Sequence, residues 1–93
     1  MYDLMISYSR NDISFVQKLA DILTAKGKEV WVDLKGIFYG EEWLERIFAA
    51  IEDSDNMIFV LSPDSIKSKY CIAEIQHALN HHKSILPIKQ FWL

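Results

Sequence analysis

The sequence predicts an α/β fold of three layers, with helices on both faces of a parallel sheet. Three observations point to it. Met57 to Leu61 is an unbroken apolar run bounded by turn formers, Ser54, Asp55 and Asn56 before it and Ser62, Pro63 and Asp64 after. A short run of that kind suits a strand covered on both faces. Other β-like runs alternate with longer stretches of helical periodicity, in the order β-α-β-α-β-α-β. That alternation calls for parallel pairing through right-handed crossovers. Finally, there are no repeats, linkers or low-complexity segments to divide the chain.

Each element has its own justification. Leu4, Met5 and Ile6, between Tyr2 and Tyr8, read as a buried first strand. Ser7 to Asp12 is polar and offers several N-caps. Phe15, Val16, Leu19, Ile22 and Leu23 then form one helical stripe running to Ala25, which Lys26-Gly27-Lys28 closes. Glu29 to Asp33 reads as the second strand, and Leu34 to Gly40 as a loop. Glu41 and Glu42 suit a helix first turn, followed by the stripe Leu44, Ile47, Phe48 and Ile51. Glu52 to Asn56 reads as a polar turn into the central strand.

After that strand, Ser62-Pro63 resembles an N-cap followed by proline at the first helical position. A third main helix is expected from about Tyr70 to His82, with Ile72, Ile75 and Leu79 facing inward. Ile85 to Ile88 makes a fourth strand, placed near an edge because Pro87 has no N–H for the ladder. The chain stops on this strand, leaving one sheet flank without a covering helix, as expected of a piece of a larger domain.

Ninety-three residues make one small domain, with an ordinary globular composition of 51% hydrophobic and 25% charged residues. A net charge of −3 gives no electrostatic case for nucleic acid or anionic membrane. No apolar run reaches the roughly 18 to 20 residues of a membrane span. The first residues lack the basic flank and cleavage site of a signal peptide. The single Cys71 excludes an internal disulfide and fits a reducing cytoplasm.

Ligands of open α/β sheets bind beyond the carboxyl ends of the strands. Two segments therefore stand out: Ser9-Arg10 after the first strand, and the stretch after Leu61 that ends in Glu74. Arg10 could meet a pyrophosphate, or be a solvated arginine beside a cap. Gly36 and Gly40 fit neither a dinucleotide fingerprint nor a P-loop. Trp43 reads as packing. His77 and His81 lie four apart on a helix, but with no third ligand at a suitable spacing the simpler account is positive charge near a helix C-terminus, and no metal is expected.

Three motifs together resemble the Toll/interleukin-1 receptor (TIR) domain in its bacterial form, which has a flavodoxin-like architecture. Tyr2 to Arg10 is similar to its first box. Val30-Trp31-Val32-Asp33, followed by Gly36 to Leu44, is similar to its second box and BB loop. Val60-Leu61-Ser62-Pro63, followed by Tyr70 to Ile75, is similar to the segment bearing the catalytic glutamate. The likeness covers four strands and three helices; the family's fifth strand and last helix have no counterpart here. Phe91-Trp92 follows the fourth strand directly and is not taken as the family's third box.

The resemblance implies an NAD+ glycohydrolase, releasing nicotinamide and linear or cyclic ADP-ribose. Glu74 would be catalytic, and Tyr8, Ser9, Arg10, Asp33, Phe38 and Tyr70 would border the substrate. Tyr70 stands where the family often has tryptophan, one turn before the glutamate. NAD+ is then the substrate, and no cofactor is implied. Gly36, Ile37, Phe38, Tyr39 and Gly40 would form the loop that docks neighbouring TIR domains. The expected setting is an effector module in cytoplasmic bacterial immune or anti-phage signalling, joined to a sensor and activated by self-assembly. The alternative is a non-catalytic TIR–TIR scaffold. A phospho-acceptor receiver domain shares the architecture, but Ser7-Tyr8-Ser9 and Ser62-Pro63 stand where its acidic residues would be.

Overall fold

A computed structural model describes residues 1–34 and 41–90. Within them lie strand β1 (Tyr2–Ser7), helix α1 (Ile13–Ala25), β2 (Val30–Trp31), α2 (Glu41–Asp53), β3 (Ser54–Leu61), α3 (Lys69–Asn80) and β4 (Ser84–Lys89). The strands form one parallel sheet in the order β2-β1-β3-β4. In its register Met5 lies opposite Met57, and Phe59 opposite Pro87. Pro87 is on the edge strand, as its missing donor requires.

Side chains alternate across a strand, so β1 and β3 each feed two cores. Ile6, Tyr8, Ile58 and Val60 pack with Val16 and Ala20 of α1 on one face. Met5 and Met57 pack with Trp43, Ile47 and Ile51 of α2 and Ala78 of α3 on the other. The three expected layers are present. Among the described residues no helix is long and apolar enough to cross a membrane.

Local chemistry fixes the joints. Gly27 takes φ +85° after α1, with its N–H on the Thr24 carbonyl and the Lys28 N–H on that of Leu23. This is the helix-closing pattern that a glycine at that position permits. His82 takes the same left-handed role after α3, with φ +57°.

Several boundaries and faces differ from expectation. Strand β2 is shorter than Glu29 to Asp33. Glu52 to Asn56 is not a turn: α2 runs to Asp53 and β3 begins at Ser54. The buried Ser54 hydroxyl donates to the Ala50 carbonyl at 2.6 Å, satisfying one of the helix's terminal acceptors without a loop. The short turn expected after Ser62-Pro63 is a 3-10 turn, Ser65–Lys67, which ends at Ser68 before α3. The Ser62 hydroxyl still accepts the Ser65 N–H at 3.1 Å, as a cap would.

The largest correction concerns α3. Its buried face is Cys71, Glu74 and Ala78, while Ile72 and Leu79 of the expected inward stripe are exposed. Small residues at 71 and 78 let the helix lie close against the sheet and α2, which turns the larger aliphatic side chains outward. Ile22 of α1 is likewise exposed. Glu74 is thus carried into the interior.

Candidate functional site

Parallel strands β1 and β3 end at the same rim. The chain leaves β1 through Tyr8 and Ser9 into a 3-10 turn, Arg10–Asp12, and leaves β3 through Ser62. Asp12 is buried and accepts the Ser62 hydroxyl at 2.5 Å, while the Ser62 N–H donates to Ser65 Oγ at 2.9 Å. The first of these bonds ties the two strand exits together, and the second shapes the turn after β3. Because a buried carboxylate's partner would be left unpaired, Asp12→Ala is expected to cost about 2–3 kcal/mol, read as a lower urea midpoint at unchanged slope.

Ser68 accepts the Cys71 N–H at 3.2 Å and so fixes the start of α3. One helical turn separates Tyr70 from Glu74, which brings both to the rim. The first turns of α2 bring Trp43 to the same place. Its ring meets Tyr70 edge to face, with centroids 5.1 Å apart at 81°. Tyr8, Ser9, Arg10, Trp43, Ser68, Tyr70, Cys71 and Glu74 together line a crevice of about 200 Å³.

Glu74 is the unusual member, an ionisable side chain only 4% exposed. Burial pushes its carboxyl from the ordinary 4.5 up to about 7, with Ser7 pulling weakly the other way. Ser7 Oγ is itself buried and makes no hydrogen bond of good geometry among the described residues, so its pull on Glu74 is a loose polar contact. The Tyr8 phenol is raised to about 12, first by burial and then by the charge of Asp33. Its O–H donates to the Asp33 carbonyl. Burial also lifts the Cys71 thiol to about 11 against the Ser68 hydrogen bond, which leaves it a poor nucleophile. The crevice therefore offers one carboxylate poised near neutrality, two tyrosines, an indole and an arginine at the mouth.

Five of the residues singled out in the sequence meet here: Tyr8, Ser9, Arg10, Tyr70 and Glu74. Asp33 lines a smaller adjoining hollow that shares Tyr8, Trp43 and Glu74 with the crevice; its carboxylate takes the Arg46 guanidinium at 2.5 Å and its carbonyl takes Tyr8. Phe38 and the assembly loop, Gly36, Ile37, Tyr39 and Gly40, lie outside the described residues. Trp43 is buried packing as expected, but also a wall of the crevice. Its position in the first turn of α2, at the rim end, gives it both roles.

A parallel α/β domain with two buried carboxylates, Asp12 and Glu74, near its strand ends belongs to the class of open α/β sheets, whose ligands bind at that rim. Comparison with known proteins sharpens this. Residues 4–90 match the family model described as TIR domain. The chain is 35% identical over 92 residues to the 2′ cyclic ADP-D-ribose synthase AbTIR of Acinetobacter baumannii, covering 94% of this chain and 34% of that protein. It is 33% identical over 82 residues to human Toll-like receptor 1, covering 87% of this chain and 10% of the receptor. The solved TIR domain of the Toll-related receptor TRR-2 from Hydra magnipapillata aligns with a TM-score of 0.84 and 30% identity, over all of this chain and 74% of that one. This chain belongs to the TIR domain family. It spans about a third or less of the length of these curated relatives.

Proposed function

We propose that this domain cleaves NAD+ between nicotinamide and ribose, with Glu74 as the catalytic carboxylate. The observation that carries the reading is the burial of Glu74 on a crevice walled by Trp43, Tyr70 and Tyr8. Likeness to a relative named as a cyclic ADP-ribose synthase supports it.

The chemistry suits a single carboxylate. The glycosidic nitrogen of NAD+ carries a positive charge, so the C1′–N bond breaks with its electron pair passing to nicotinamide, which leaves neutral. No general acid is needed, unlike ordinary glycosidases with their two carboxyl groups. What remains is a ribosyl oxocarbenium, which an ionised Glu74 stabilises across the crevice. Water captures it, losing a proton, to give ADP-ribose; a nucleophile within the same molecule gives a cyclic product. Tyr70 and Trp43 offer flat faces for the nicotinamide, and Arg10 a partner for the pyrophosphate.

At about 200 Å³ the crevice falls below the roughly 300–1,000 Å³ of pockets that enclose a whole drug-sized ligand. It takes one end of the dinucleotide. We infer that a second TIR domain covers the rest, so that activity follows self-assembly, as in a cytoplasmic immune effector governed by a fused or associated sensor. The same small volume, with the likeness to Toll-like receptor 1, favours the second reading: a scaffold that assembles without chemistry.

The deciding experiment measures nicotinamide release by the protein carrying this domain, under conditions that drive assembly, beside Glu74→Ala. Release that vanishes in the variant establishes the enzyme. No release from demonstrably assembled protein leaves the scaffold, and release that survives the substitution removes Glu74 from the mechanism.

A further inference from the structure

A second group of chemistry-bearing side chains sits at the opposite end of the α2–α3 seam, independent of the crevice. Glu52 is in the last turn of α2, His77 in the last turn of α3, and His81 caps α3. One ligand atom from each lies within 4.8 Å of the others. His77 Nε2 is 2.8 Å from Glu52 Oε2, and His81 Nε2 is 3.8 Å from the same oxygen. The sequence shows the histidine pair but not the third donor, which packing delivers from another helix.

We propose that Glu52, His77 and His81 bind one divalent transition-metal ion of the zinc class. Two imidazoles and a carboxylate are a recognised zinc donor set, with a fourth position left to water. Tetrahedral bonds of roughly 2.0–2.1 Å hold donor atoms about 3.3 Å apart. The separations here bracket that value, and partly or fully exposed side chains reach it by small rotations. The outer contacts are also those of a metal site. His81 Nδ1 lies 3.0 Å from the His77 carbonyl. A carbonyl only accepts, so Nδ1 carries the hydrogen and the Nε2 lone pair of the neutral ring points toward Glu52. His77 is held flat against Phe48, with centroids 4.1 Å apart and planes 5° off parallel.

His77 Nε2 donates to the Glu52 carboxylate, which holds a proton where the ion would sit. On binding, that proton leaves to solvent. A neutral His77 ring regains one at Nδ1, and a charged ring gives it up outright. Two helix C-termini point their negative dipole ends at the site, which favours a cation. Lys83 Nζ, on the Glu52 carbonyl at 2.9 Å, is the opposing charge. The bound ion would clamp α2 to α3 at the end away from Trp43 and Tyr70.

The test uses tag-free, chelator-stripped protein carrying this domain, titrated with Zn2+ in a calorimeter and by thermal melting. One equivalent per chain and a melting point raised by several degrees are expected. Glu52→Gln and His81→Gln, both exposed, should each weaken uptake on the order of a hundredfold. Co2+ bound to wild-type protein should show the intense visible bands of four- or five-coordinate cobalt. Absent saturable uptake, uptake unchanged in both variants, or a cobalt spectrum like that of the hydrated ion would each overturn the site. The cobalt reading stands even if a variant fails to fold.

Discussion

Glu74→Gln is expected to lose NAD+ cleavage on the order of a thousandfold while making the domain more stable at neutral pH. The two effects have one cause. In the folded chain the Glu74 carboxyl titrates at about 7, against an ordinary 4.5, because burial disfavours its charge. Between those values the folded state holds a proton that the unfolded state has released. Stability therefore falls as pH rises through that window, and the penalty is complete above about pH 7 and absent below about 4.5. An amide of the same shape does not titrate. With about 1 kcal/mol set against it for the amide's own burial at every pH, the variant should gain about 2 kcal/mol at pH 8 and lose about 1 kcal/mol near pH 4. Urea unfolding of both proteins across that range measures it, and equal midpoints at pH 8 would show that Glu74 is not held against its charge. The same ionisation should shape turnover. For wild-type protein kcat/KM should rise with pH through about 7, since only the carboxylate steadies the ribosyl cation. The limb for kcat should lie lower, because the positive charge of bound NAD+ favours the ionised form.

Why Glu74 could not be read from periodicity alone follows from how α3 packs. A glutamate in a helix is ordinarily solvated, and the larger aliphatic residues Ile72, Ile75 and Leu79 mark the opposite face as the inward one. Its place after the central strand's carboxyl end drew attention to it, and the resemblance of Tyr70 to Ile75 to a known motif gave it a role. The decision was made by tertiary fit: Cys71 and Ala78 are small enough for close approach, and the exposed Ile72 and Leu79 were set aside. The strands were more legible. Runs such as Leu4 to Ile6 and Met57 to Leu61 have to be covered on both faces wherever they occur, so sequence alone defines them. Boundaries set by one hydrogen bond were not, as when Ser54 folds its hydroxyl back on Ala50 and removes an expected turn. Contacts between elements were the least legible: nothing in the spacing of His77 and His81 announces Glu52, and nothing around Asp33 announces its pairing with Arg46.

Trp43→Ala is expected to be the most damaging single change to the fold, at about 3–5 kcal/mol. The indole is 7% exposed and packs with Met5, Ile47, Ile51, Met57 and Ala78, joining two helices to two strands. Domains of this size have only about 5–15 kcal/mol in total, so the variant should be substantially unfolded on modest warming. Loss of fold would hide any role at the crevice, and Trp43→Phe separates the two. Phenylalanine keeps an aromatic ring in the cluster at a cost of roughly 1–3 kcal/mol, but offers Tyr70 and the crevice a smaller face. Because the ring contributes binding area rather than charge at the reacting carbon, KM for NAD+ should rise several-fold with kcat little changed. A fall in kcat at unchanged KM would instead place Trp43 against the reacting ribose. Denaturation midpoints and steady-state kinetics on the same preparations of the two variants distinguish these outcomes.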